Sequence, residues 1–163
     1  NLETPLAMPD LKLIALDAED LAVISAHLQD AVVRVADMTY IPQDKRFAAL
    51  ANRFDWAEAL TKQSAAKGKS SLRRRRAGLR FERVLSAKYQ AIDVKDKRAT
   101  LALLAVTFTS SPDPESPDGN VTLTFSGGAA IRLAVECLEV EMQDLGATWK
   151  AKHSPEHPDD TTS

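Results

Sequence analysis

The sequence predicts one α+β domain: a mostly antiparallel, strongly bent sheet of six to seven strands, with an N-terminal helix after the first strand and an amphipathic C-terminal helix packed on the sheet. Three observations carry this. Short β-branched or alternating runs succeed one another from Val32 to Val135, divided by turn residues. Apolar residues at helical spacing follow Asp17, and a second such stripe runs through Val135, Leu138, Met142, Leu145 and Trp149. There is no repeating βαβ unit, so a doubly wound nucleotide-binding fold does not fit.

Taken in order, Leu11–Leu16 (LKLIAL) is short and apolar enough for a buried strand. Asp17 follows as a helix N-cap, with Glu19 and Asp20 in the first turn, where the helix dipole favours negative charge. Leu21, Ile24 and Leu28 form the apolar stripe of that helix. Residues 32–40 and 46–56 read as two strands of a hairpin joined through Ile41-Pro42-Gln43-Asp44-Lys45. Residues 57–72 lose all periodicity and read as a surface loop. Beyond them Leu79, Phe81, Leu85, Ala87 and Tyr89 alternate with Arg80, Glu82, Ser86, Lys88 and Gln90, and Arg83–Val84 breaks the alternation like a bulge.

Residues 99–109 (ATLALLAVTFT) are apolar on both faces, as a central strand requires. Residues 110–119 hold three prolines and form a loop. Gly127-Gly128 between two alternating runs marks a hairpin turn, since glycine supplies the positive φ such turns need. The resulting domain plan is a flexible N-terminus at 1–10, one domain at 11–150 with a basic loop at 57–76, and a disordered tail at 151–163. Met8 reads as a natural start, with residues 1–7 an upstream extension. Antiparallel strands closed by one C-terminal helix also follow the element order of the pleckstrin-homology superfold, and a roll of that kind is expected by analogy.

Composition narrows the class of protein. Of 163 residues 44% are apolar and 27% charged, which suits a globular chain with a real core rather than a disordered one. The apolar runs are too short to span a bilayer, and the N-terminus lacks the basic and apolar regions of a secretory signal. A single cysteine, Cys137, cannot pair within the chain, so a cytoplasmic location is expected. The net charge of −2 conceals an asymmetry: residues 57–92 hold ten bases and two acids, Glu58 and Glu82, while the remainder holds eleven bases and twenty-one acids. A block of +8 thus sits in a body of −10.

Four strings, LKLIALDAEDLAVISAHLQDAVVRV, ANRFDW, RRRAGLRFERV and VTLTFSGGAAIRLAVECLEVEMQDLG, together resemble a family of uncharacterised, mainly proteobacterial proteins described as a domain of unknown function. The resemblance runs from about Leu11 to Trp149. It implies a bacterial cytosolic protein and brings no activity, cofactor or site residue with it.

The basic block gives the candidate binding residues: Lys67, Lys69, Arg73, Arg74, Arg75, Arg76 and Arg80, with Trp56 as a stacking platform if exposed. Guanidinium forks suit phosphates and carboxylates, so the expected partner is an acidic protein or a nucleic acid, engaged without catalysis. The competing reading makes these arginines a solvated strand entrance, neutralised by the acidic body. The alternative function is a small-molecule or enzymatic pocket between the sheet and the C-terminal helix, which no motif supports.

Other chemistry reads as structural. Cys137 lies beside an apolar stripe with Glu136 and Glu139 near it, a poor setting for a thiolate. His27 flanks the helical stripe without a readable nucleophile. His153 and His157 stand four apart, but Pro155 and Pro158 remove the helix that would put them on one face. Glu19 with Asp20, and Glu139 with Glu141, project in different directions on a helix. No catalytic residue, metal ligand, cofactor or membrane partner is expected, and oligomeric state is not legible.

Overall fold

The computed structural model describes residues 10–55 and 74–146, and these form nine strands and one α-helix. In chain order they are β1 (Lys12–Ala15), α1 (Ala18–His27), β2 (Val32–Ile41), β3 (Arg46–Phe54), β4 (Arg74–Phe81), β5 (Val84–Gln90), β6 (Thr100–Ser110), β7 (Gly119–Phe125), β8 (Ala130–Val135) and β9 (Val140–Asp144). All pairings are antiparallel, in the order β1-β9-β4-β3-β2-β6-β7-β8-β5.

That order closes on itself. β4 passes into β5 across Glu82 and Arg83, and β8 into β9 across residues 136–139. The two long segments pair with each other along both halves, as β4 with β9 and as β5 with β8. At the bend between the halves, Glu82 N–H donates to Glu139 O and Glu136 N–H to Arg83 O, both at 2.9 Å. Arg83 takes φ 61° there, which lets the strand turn without losing its ladder.

Local chemistry accounts for α1. Asp17 caps it as expected, its Oδ1 accepting from Asp20 N–H at 2.8 Å. Leu21, Ile24 and Leu28 are buried against the sheet, and Ser25 Oγ accepts from Val106 N–H at 2.9 Å, which fixes the helix to β6. Every strand contributes inward residues to one apolar core. Phe47 and Phe81 face each other across β3 and β4 in an edge-to-face contact with ring centroids 6.0 Å apart. Fully burying a side chain of this kind contributes roughly 1.5–3 kcal/mol. Gly127 and Gly128 have φ of 78° and 85° and turn β7 into β8, as the sequence predicts.

Two expectations are corrected. The six to seven strands are nine among the described residues, because residues 74–90 break into β4 and β5 and residues 140–144 are a strand. Among the described residues the amphipathic C-terminal helix read from Val135 is replaced by a strand: residues 140–144 are β9, paired with both β1 and β4. Val135, Leu138, Met142 and Leu145 suit a helical stripe, yet Val140 and Met142 also alternate with Glu141 and Gln143 at the strand period. Tertiary pairing decides between the periods, and Gly146 then leaves the strand at φ 85°. Within the next strand pair, Val84 takes the inward place expected of Leu85, which is 52% exposed. The calls on residues 1–9, on the loop up to Arg73, on Trp149 and on the tail lie outside the described residues. No helix among the described residues is long and apolar enough to cross a membrane.

Candidate anion-binding site

The basic run enters the sheet as β4, so strand parity divides its arginines between two faces. Arg75 lies on the inward face with Ala77, Leu79 and Phe81; Arg74, Arg76, Gly78 and Arg80 lie on the outward face. Arg73, Lys67, Lys69 and Trp56 fall outside the described residues.

Inward, the arginines are consumed by the body. Arg75 faces Arg53 across the ladder, and each is held by a carboxylate of its own. Arg53 donates from Nε and Nη2 to Asp144 at 2.9 and 2.8 Å, and from Nη1 to Phe54 O at 3.1 Å. Arg75 donates from Nε to Asp55 at 2.8 Å and from Nη1 to Asp10 at 3.3 Å. Burial alone would lower the Arg75 pKa, but the hydrogen bond and charge of Asp55, with Asp144 and Asp10, raise it above the ordinary arginine value. This group is structural: it ties the residues just before β1 to β3, β4 and β9.

Outward, pairing is partial. Arg80 donates to Glu141 at 2.7 Å and has Glu82 at 3.8 Å; the Glu141 hydrogen bond and charge raise its pKa. Arg83 lies 3.5 Å from Glu139, and Lys45 2.8 Å from Glu136. Arg76 stands 3.9 Å from Asp37, a loose pair. The Arg74 guanidinium lies over the Phe54 ring, 4.8 Å from its centroid.

Next to Arg76 the sheet opens. β2 pairs with β3 at Val33↔Ala51 and resumes at Met38↔Ala49, so residues 34–37 oppose Leu50 alone. This wide bulge leaves a cleft of about 120 Å³ whose lining includes Arg34, Asp37, Leu50, Asn52, Arg76 and Thr100. Arg34 is exposed and forms no ion pair among the described residues. Two guanidinium groups, an amide and a hydroxyl therefore border one concavity, with Asp37 as the carboxylate on its lining. Such a donor set suits a small anion: at ~30 Å³ of liquid volume per water, the cleft takes about four waters or one phosphoryl or carboxylate group.

The sequence reading named Arg74, Arg76 and Arg80 within one basic block, of which Arg76 lines the cleft, and did not name Arg34, Asn52 or Thr100. A signal was present. In residues 32–40 the apolar parity switches from Val33 and Val35 to Met38 and Tyr40, which marks a bulge, and Arg34 is the cation next to the switch.

Elsewhere, Cys137 is free and half-buried in the link between β8 and β9. His27 ends α1 with Nδ1 shut off from solvent and without a hydrogen-bond partner among the described residues. Among those residues no group of three or more His, Cys, Asp or Glu could hold a metal ion.

These features define a closed antiparallel sheet protein, plugged by one N-terminal helix and carrying a cationic cleft at a strand bulge. The chain belongs to the family described as Protein of unknown function (DUF2948), whose model matches residues 11–157. No curated protein and no solved structure matches it.

Proposed function

We propose that this protein is a non-enzymatic binding module that engages an anionic partner, receiving one phosphoryl or carboxylate group in the β2-bulge cleft. The observation that carries the reading is the shared lining of that cleft by Arg34 and Arg76 with Asn52 and Thr100. Arg forks bind such groups bidentately, and Arg34 has no carboxylate of its own to displace among the described residues. The +8 block at residues 57–92 supports the same sign of partner and would speed its approach. The half-buried free thiol Cys137 fits action in the reducing bacterial cytoplasm.

Retention on heparin at moderate salt, with pyrophosphate as the competing small anion, tests this. Wild type is retained and pyrophosphate releases it. The double variant Arg34→Gln/Arg76→Gln elutes earlier, with its salt dependence flattened by about two charges. Wild type passing straight through removes the reading.

A further inference from the structure

β4 carries a second oddity. Its outward positions read Arg74, Arg76, Gly78 and Arg80, and glycine in a strand interior weakens the strand unless something approaches the backbone closely. Among the described residues nothing does so at Gly78. A Cβ built there would come no nearer than 3.9 Å to Gln143 O and 4.0 Å to Leu145 Cδ2, which is ordinary contact distance. The sheet would accept a side chain at this point, and the glycine instead leaves a notch between Arg76 and Arg80, each ~6.6 Å away along the strand.

The notch joins two depressions on the outer face. One, of about 370 Å³, is bordered by Lys12, Gly78, Arg80, Gln143 and Leu145. The other, of about 430 Å³, is bordered by Gly78, Ala48, Leu50 and Met38, and Leu50 also lines the cationic cleft. The register Lys12↔Gln143↔Gly78↔Leu50 shows that these residues follow one line across β1, β9, β4 and β3. From β1 to the β2 bulge that line crosses four strand spacings, ~19 Å, the reach of about six extended residues.

Resting on the anion-binding reading, we propose that the partner is an acidic protein segment lying extended across the strands over Gly78, one of its carboxylates seated between Arg34 and Arg76. The floor at Ala48, Leu50 and Leu145 is apolar, with Leu145 42% exposed, and suits the side chains that alternate with the acids. Lys12 and Arg34 stand towards the two ends of the line and are unpaired among the described residues; Arg76 and Arg80 flank its middle, with Asp37 and Glu141 against them. A single-stranded nucleic acid is disfavoured, because such strands stack on exposed aromatic rings. On the outward positions of β1, β9, β4 and β3 the one aromatic is Phe54, and Arg74 covers its ring.

Fluorescence anisotropy with three labelled or competing probes decides the matter: an eight-residue peptide alternating Glu and Leu, an eight-nucleotide oligothymidylate, and pyrophosphate. Wild type binds the peptide in preference to the oligonucleotide. Gly78→Phe, with Gly78→Thr as the smaller replacement, weakens the peptide tenfold or more yet leaves pyrophosphate binding within twofold, and unchanged circular dichroism shows the fold intact. Arg34→Gln/Arg76→Gln weakens both ligands. Pyrophosphate binding without peptide binding, or equal peptide binding by both Gly78 variants, overturns the acidic-segment proposal and leaves the anion cleft standing. Preference for the oligonucleotide also overturns it. Failure of all three probes overturns both readings.

Discussion

Arg53 on β3 and Asp144 on β9 meet as a two-toothed ion pair across the intervening β4, 91 residues apart in sequence, with side chains 1% and 0% exposed. Asp144 also accepts from Leu11 N–H at 3.0 Å, so one carboxylate holds the start of the domain and its last strand. A buried pair adds little over an apolar substitute, but breaking it strands a charge. Arg53→Met or Asp144→Asn should therefore cost about 3–5 kcal/mol each in urea unfolding. The double variant Arg53→Met/Asp144→Leu should lose well under the sum, keeping a deficit of ~1–3 kcal/mol from the unsatisfied Leu11 N–H. Additive losses would mean the two residues act independently.

His27 should make stability depend on pH in one direction. Burial first, and then the Arg53 guanidinium, hold its imidazole below the usual value of 6.5, against the opposing pull of Asp144 and Asp55. The unfolded chain therefore binds the proton more readily, and stability rises with pH across this range. As pH falls through 6.5 stability begins to drop, and the drop is complete below the depressed folded value. One group contributes at most about 1.36 kcal/mol per pH unit. Chemical denaturation of wild type and His27→Gln between pH 5 and pH 8 checks this as a difference: the variant curve should be flatter at the acid end, and parallel curves would remove His27 as the cause.

How much was legible follows from where the deciding contacts lie. Asp17 and Gly127-Gly128 act on their own neighbours, so α1 and the β7–β8 turn were readable from short strings. β9 was not. Its inward positions are Val140, Met142 and Asp144, and a carboxylate on the core face hides the alternation that would announce a strand. Asp144 makes sense there through Arg53, which nothing near it in sequence reveals. The run Arg73–Arg76 posed the same problem: as a string it reads as one charge cluster, whereas strand parity sends Arg75 inward to Asp55 and leaves Arg74 and Arg76 outside.

Two glycines in paired strands should respond oppositely to one added methyl. At Gly119 a Cβ would run into Thr109 O and stand 2.8 Å from the Phe108 ring, with backbone on one side and a packed ring on the other. Gly119→Ala should lose roughly 1–3 kcal/mol by overpacking. At Gly78 the space is open and φ is not positive, so Gly78→Ala should gain about 0.5–1 kcal/mol from the lower entropy of the unfolded chain. Midpoints of thermal or urea unfolding distinguish the two, and a destabilised Gly78→Ala would show that the strand itself needs the glycine.

Lys88 and Arg132 stand directly opposite each other on β5 and β8, both exposed and neither in an ion pair among the described residues. Like charges at facing positions destabilise a ladder, and reversing one sign turns repulsion into attraction. Lys88→Glu should raise stability by ~0.2–1 kcal/mol at low ionic strength, with Lys88→Gln intermediate. Exposed charges are screened, and at 1 M salt the Debye length shrinks to about 3 Å, so the advantage of Glu over Gln should vanish there. Urea midpoints for the three proteins at low and high salt provide the measurement. A gain that persists at 1 M salt would come from strand propensity or packing rather than from the facing charges.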